Sequence, residues 1–255
     1  MLTITERHQF ILQRLKEQGR VSIQELSDMM EVSGVTIRKD LKLLEEKKLL
    51  FRTRGGGSLH NPYAVERPIN EKELINAEEK QRIAKAAVEL VGDNDSIIIG
   101  SGTTVFGLAR YLFPSKRLTV ITPAVKVTLE LSSRPNVEVL QLGGLVRPSS
   151  SSVTGSAAEQ TLEQISCGLL FLGVDGIDPE FGLSITNLTE ASLNQKMIEA
   201  SRAVVVLADS SKFGRRGLGR VCGLEQVHSI VTDSGVSAEM VELLEERGIR
   251  VIIAR

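Results

Sequence analysis

Cysteine and histidine are scarce in this 255-residue chain. Cys167 and Cys222 lack ligand spacing, and three scattered histidines do not supply it, so no metal site is expected. Either cysteine reads as a buried small hydrophobe. No uninterrupted apolar run is long enough to span a bilayer. The N-terminus soon turns polar and charged in TERHQF, so no leader peptide is expected. These absences point to a cytoplasmic protein with no membrane partner. A GKS or GKT phosphate-binding signature is also missing. Strong net charge is missing too, at only -1. What remains is ordinary for a soluble globular protein: 42% hydrophobic and 25% charged residues, enough for a sizeable core. The length favours one large domain or two unequal ones.

The near-neutral total conceals a gradient. Residues 1–57 carry a net charge of +3 and the remainder -4. A small basic region joined to a mildly acidic one predicts a polyanionic partner for the first alone. Phe10, Ile11, Leu12 and Leu15 form a helical stripe closed by Gly19, with Thr5 as a candidate N-cap. Arg20 and Val21 read as a short extended link. Ser22 can cap a second helix, with Glu25 completing a capping box; this helix buries Leu26 and either Met29 or Met30. Ser33 can cap a third, in which Ile37, Leu41 and Leu44 share one face. Val35, Arg38, Lys39 and Lys42 fall on the opposite side. Leu49–Phe51 then reads as a strand, and Gly55-Gly56-Gly57 as a tight turn between basic flanks.

This order predicts a winged helix-turn-helix. Its third helix would lie in the major groove of double-stranded DNA, with Ser33, Thr36, Arg38, Lys39 and Lys42 near phosphates or base edges. Arg52 and Arg54 on the wing would reach the flanking backbone or minor groove. A charged helix face is commonly only solvated; the cap, apolar stripe, basic start and glycine wing together favour an operator. The segment VSIQELSDMMEVSGVTIRKDLKLLEEKKLLFRTRGGG resembles the N-terminal domain of the DeoR family of bacterial transcriptional regulators. TIRKDL, LxxLE and the basic, glycine-rich wing are its most specific parts. Arg54 stands where family members commonly have histidine.

Residues 58–76, SLHNPYAVERPINEKELIN, carry two prolines and mixed charge and read as a linker. The expected organisation is therefore 1–57 for the winged helix, 58–76 for the linker and 77–255 for a second domain. Ala77–Val91 has an amphipathic helical pattern. Seven short, almost wholly apolar strands follow: Ser96–Ile99, Leu118–Thr122, Val137–Leu142, Gly168–Val174, Ala203–Ala208, Ser229–Thr232 and Arg250–Ile253. Ala157–Ile165, Glu190–Ala200 and Ala238–Arg247 read as helices between them. Strands without polar alternation are buried on both faces, which predicts a mainly parallel α/β sandwich of Rossmann-like kind.

Ligands of such sheets bind beyond the carboxyl ends of the strands. After the first strand, GSGTTV offers Ser101, Gly102, Thr103 and Thr104 as a turn with hydroxyls and helix-start amides, a receptacle for an anion. It lacks the third glycine of GxGxxG, and no acidic residue caps the second strand, so no nucleotide cofactor is expected. The alternative is a glycine turn with no ligand. Later strand ends add Gly143, Gly144 and Arg147, then Asp175, then Asp209, Ser211 and Lys212. Lys196, in EASLNQKMIEA, adds a further cation. Each alone could be a loop residue; their joint placement favours a site for a phosphate and for hydroxyl groups.

GTT, LGGxxR, GVDGID, NxxEAxxNxKM and LADSSKFG resemble the effector domain of DeoR regulators, which is similar to ribose-5-phosphate isomerases. The resemblance implies a repressor of carbohydrate-metabolism genes and a phosphorylated sugar effector. It also implies a homo-oligomer. The GTT hydroxyls and Lys212 would hold phosphate, with Asp175 and Lys196 facing the sugar. Gly100 and Pro123 depart from the aspartate and asparagine frequent in the family. The competing reading is a sugar-phosphate isomerase or deaminase with an appended DNA-binding module, since a carboxylate and a lysine beside a phosphate could move protons on an enediol. A DNA-reading module fits a sensor better than a metabolic enzyme, and a shared fold confers no activity.

Overall fold

The first helix begins at Thr3. In α1 (Ile4–Gln18) the Thr3 hydroxyl accepts from the Glu6 amide, and the Glu6 carboxylate accepts from the Thr3 amide. That reciprocal pair outcompetes the cap expected at Thr5, which lies inside the helix. Gly19 ends α1 in the left-handed region at φ 73°, as a helix C-terminus favours. The structure is a computed structural model and describes residues 2–47, 49–53, 55–59 and 68–255. The chain divides into two compact units, Met1–Val65 and Glu66–Arg255.

In the first unit, α1 is followed by β1 (Arg20–Ser22), α2 (Ile23–Met30), α3 (Gly34–Glu46), β2 (Phe51–Thr53) and β3 (Gly56–Ser58). Ser22 and Ser33 cap α2 and α3 by accepting from the amides of Glu25 and Thr36. Ile11, Leu15, Leu26, Ile37, Leu41, Leu44 and Leu50 form its core, with Met30 buried and Met29 exposed. Each such side chain contributes roughly 2 kcal/mol by leaving water. The strands pair in the order β1-β3-β2. The wing strand therefore starts at Phe51, two residues later than expected, and the three glycines are not simply a turn. Gly56 and Gly57 belong to β3, pressed against β1. A Cβ on Gly56 would lie 1.8 Å from the Val21 carbonyl oxygen.

The second unit opens with α4 (Ile69–Leu74), inside the stretch expected to be a linker, and α5 (Ala77–Val88). Residues 60–67 lie outside the described residues. β4 (Ser96–Ile99), α6 (Thr103–Tyr111), β5 (Leu118–Thr122), α7 (Val125–Leu131) and β6 (Val137–Gln141) come next. A hairpin of β7 (Leu145–Arg147) and β8 (Ser152–Thr154) leads to α8 (Ser156–Leu162) and β9 (Cys167–Gly173). β10 (Gly176–Asp178), β11 (Gly182–Ile185), α9 (Leu188–Glu199) and β12 (Ser201–Leu207) follow. β13 (Gly219–Cys222), β14 (Ser229–Asp233), α10 (Ala238–Glu246) and β15 (Arg250–Ala254) complete it.

The seven strands expected from the apolar runs form one sheet in the order β15-β14-β12-β9-β4-β5-β6. All its pairings are parallel. Ile98, Leu170, Leu172, Val204, Val206 and Ile230 face one core with α8, α9 and α10. Ile97, Ile99, Leu169, Phe171, Val205, Leu207 and Val231 face the other with α5, α6 and α7. Burial on both faces is why the inner strands show little polar alternation, whereas edge strand β6 alternates between half-buried and exposed residues. The antiparallel sheet β10-β11-β13 and the β7-β8 hairpin were not expected; their short strands carry polar residues and resemble loops in sequence.

The chain moves outward from β4 through β5 to β6, then returns on the other side of β4 as β9. Such a reversal opens a crevice at the carboxyl ends of the two central strands. Gly100 and Gly173 let the two loops meet there. The Gly100 amide donates to the Phe171 carbonyl at 2.9 Å, and a Cβ on Gly173 would lie 2.9 Å from the Ser101 carbonyl oxygen.

Candidate functional site

In the first unit the outer face of α3 carries Val35, Arg38, Lys39 and Lys42, all exposed. The helix is oriented by a charge on its inner face. Asp40 is buried and receives Arg7 twice, Nε at 2.7 Å and Nη2 at 3.0 Å, with His8 Nε2 at 3.3 Å. The Asp40 hydrogen bond holds the Arg7 guanidinium above its ordinary pKa. α1 and α3 are thus bolted together and the basic face looks outward. The hydroxyls of Ser33 and Thr36 lie 2.9 Å apart at the helix start. Arg52 sits on β2 with its amide donating to Glu45 at 2.9 Å and its guanidinium 3.9 Å from the same carboxylate. Arg54 lies outside the described residues.

In the second unit the crevice holds a polar cluster. Asp175, just past β9, accepts from the Thr186 amide at 3.0 Å and hydroxyl at 2.9 Å through Oδ2. Its Oδ1 faces Lys72 Nζ at 3.0 Å and Lys212 Nζ at 3.9 Å. Burial pushes the Asp175 carboxyl up, but Lys72 and Lys212 oppose this, and the net result lies below the ordinary value. Asp209, past β12, is buried as well. It accepts from Asn76 Nδ2 at 2.8 Å, from the Ser211 amide at 3.1 Å and from the Ser211 hydroxyl. Burial works to raise its carboxyl too, and Ser211, Lys212 and Asn76 bring it below the usual range.

Two lysines in the cluster feel the opposite pressure. Burial lowers the Lys212 ammonium against the pull of Asp175 and Asp209. Lys80 on α5 is driven by burial to about 8, with Asp209 resisting and Lys212 and Lys72 adding to the fall. Its Nζ donates to the Lys72 carbonyl. Three ammonium groups thus share two carboxylates, with Glu73, itself paired with Lys126, also acting on Lys80. Such an arrangement can accept a further anion.

The structure brings Asp175, Asp209, Ser211 and Lys212 together, and adds Lys72, Asn76, Lys80 and Thr186, which sequence reasoning missed. Ser101, Gly102, Thr103 and Thr104 sit at the neighbouring end of β4. Gly102, at φ 126°, is the N-cap of α6 and has no side chain to satisfy its first amides. Gly143 and Gly144 lie between β6 and the hairpin, where Gly144, at φ 141°, lets the chain pass Thr154. Arg147 is ion-paired with buried Glu190 at 3.0 Å, and Ser152 donates to the same carboxylate at 3.0 Å. Lys196 does not join them. It sits near the far end of α9, held by Glu199 at 2.9 Å and Glu163 at 3.5 Å. The inward face of α9 carries Glu190, Asn194 and Met197.

A winged helix-turn-helix joined to a parallel α/β domain with a cationic crevice defines a class of protein, the DNA-binding transcriptional regulator with a sensor domain. Residues 7–62 match the DeoR-like helix-turn-helix domain, and residues 75–234 match the DeoR C terminal sensor domain. A protein of Escherichia coli O157:H7 assigned to repression of the aga operon is 38% identical over 251 residues, 98% of this chain and 93% of that protein. The glycerol-3-phosphate regulon repressor of Escherichia coli K12 is 30% identical over 246 residues, 96% of this chain and 97% of its own length. Among solved structures, ribose 5-phosphate isomerase A from Methanocaldococcus jannaschii is 19% identical with a TM-score of 0.41, covering 54% of this chain and 55% of that one. The chain belongs to the DeoR family of transcriptional regulators. It is a regulator and not an enzyme, and the isomerase or deaminase alternative is set aside. No described helix is long and apolar enough to cross a membrane.

Proposed function

We propose that this regulator represses genes of carbohydrate or polyol-phosphate metabolism and responds to a phosphorylated sugar or related metabolite in the crevice of its second unit. The observation that carries the reading is the surplus of ammonium groups there: Lys72, Lys80 and Lys212 against Asp175 and Asp209. A phosphate would neutralise that surplus near Lys212, Lys80 and the uncapped start of α6, with the hydroxyls of Thr103 and Thr104 beside it. Asp175 and Asp209 would accept from sugar hydroxyls. The relative named for the glycerol-3-phosphate regulon supports an effector of this chemistry.

On the DNA side, Arg38, Lys39 and Lys42, with the hydroxyls of Ser33 and Thr36, would meet the major groove of an operator, and Arg52 and Arg54 its backbone. A cytoplasmic homo-oligomer would place two such helices on repeated half-sites. A thermal-shift screen of the full chain against phosphorylated and unphosphorylated sugars tests the reading. A phosphorylated effector at a hundred times its Kd adds about 2.7 kcal/mol of stability. Stabilisation by neutral sugars alone would exclude a phosphate site.

A further inference from the structure

α4 is six residues long, far shorter than a helix that stands by its own propensity. Its N-cap, Pro68, makes no side-chain capping bond. Attachments to the rest of the second unit therefore hold it. Ile69 is buried, and its amide donates to the Ser149 carbonyl at 2.8 Å. Lys126 reaches Glu73 at 2.7 Å and Asn70 at 3.2 Å. The other two attachments come from the crevice itself: Lys72 Nζ to Asp175 Oδ1 at 3.0 Å, and Lys80 Nζ to the Lys72 carbonyl. α4 is also the first described element after residues 60–67, where the chain arrives from the DNA-reading unit.

These two attachments use the same ammonium groups that an anion in the crevice would attract. Thr186 occupies Asp175 Oδ2 twice, and Lys72 is hydrogen-bonded to Oδ1 with Lys212 3.9 Å away. A sugar hydroxyl approaching that carboxylate therefore competes with Lys72. We propose that Lys72 is the positioning residue that couples effector occupancy to the connector. A bound phosphate draws Lys72 from Asp175 and Lys80 from the Lys72 carbonyl, so α4 loses both crevice attachments and loosens where the chain enters the sensor. This rests on the effector reading above.

Hydrogen exchange of the full chain, with inorganic phosphate or glycerol 3-phosphate as probes and calorimetry in parallel, tests the coupling. Saturating probe should speed exchange of the α4 amides roughly fivefold, the scale set by losing net hydrogen bonds of about 1 kcal/mol. In Lys72→Met the α4 amides should exchange faster without probe and respond only weakly to it, through the Lys80 attachment alone, while Lys80 and Lys212 still bind it. Lys72→Arg should restore the response, which a purely structural role for the side chain's packing would not require. Probe binding with α4 exchange unchanged or slowed overturns the coupling alone, as does a full response in Lys72→Met. Absence of binding by any phosphorylated probe overturns the effector reading, and the coupling with it.

Discussion

Buried charge is arranged differently in the two units, and the difference separates architecture from function. In the DNA-reading unit one carboxylate, Asp40, meets one guanidinium, Arg7, in a two-point bond, with His8 beside them. That account is closed, and nothing further is attracted to it. In the sensor unit three lysines crowd two carboxylates beyond the strand ends, and burial depresses Lys80 and Lys212. Balanced buried charge holds helices together; unbalanced buried charge is what a charged ligand would complete.

The largest effect should come from breaking the balanced pair. Asp40→Ala leaves Arg7 buried without its carboxylate, with only the Leu2 carbonyl still accepting from it, and should cost about 3 kcal/mol in urea unfolding of the DNA-reading unit. Replacing both residues, as in Arg7→Met with Asp40→Leu, should recover most of that loss; a double variant as unstable as the single would show that the pair does more than balance itself. Next in size, Lys212→Met should weaken phosphate binding by at least about tenfold, as loss of a charge-assisted contact implies. Calorimetry reads this, and unchanged affinity would place the anion elsewhere. Arg38→Ala should lower operator affinity by roughly tenfold while leaving phosphate affinity intact, checked by fluorescence anisotropy and the same calorimetry.

The Lys80 effect is smaller and depends on pH. Its ammonium loses its proton near 8 in the folded chain and at the ordinary model value of 10.5 when unfolded. Between those values the unfolded chain binds the extra proton, so this residue's contribution to stability rises with pH. Phosphate affinity should move the other way and fall as pH climbs through about 8, where phosphate itself is already the dianion. Lys80→Met should flatten that profile. Smallest of all, Lys196→Ala should leave phosphate binding unchanged, because its ammonium is committed to Glu199 and Glu163.

The sheet was legible because its inner strands are apolar on both sides and its edge strands still carry short apolar runs, a signal strong enough to mark all seven. The crevice was legible in part, through glycines and hydroxyls at strand ends. Lys212 was found with them, but Lys72 and Lys80 were hidden, because charge was read as surface. Yet Lys80 lies on the stripe it shares with Ile83, Ala84 and Ala87, and Asp40 on the stripe of Ile37, Leu41 and Leu44. A charge at i, i+3, i+4 and i+7 with apolar residues faces inward. The same rule places Lys196 off the stripe of Glu190, Asn194 and Met197, one residue from burial and about 100° away from it. Lys72 carried no such signal, since a helix of six residues is too short to show a period. Gly56 was misread because a turn glycine and a glycine of close approach look identical in sequence.

That glycine has a practical consequence for redesign. With the Val21 carbonyl oxygen 1.8 Å from where a Cβ would sit, position 56 tolerates no side chain without prising two strands apart. A randomised library aimed at new operator preference should leave it untouched and diversify the outer face of the neighbouring helix, where residues such as Lys39 and Lys42 stand clear of every packing constraint. On the proposed operator contacts, retargeting this protein is then a matter of exchanging solvent-facing letters on a frame whose tightest joint is fixed.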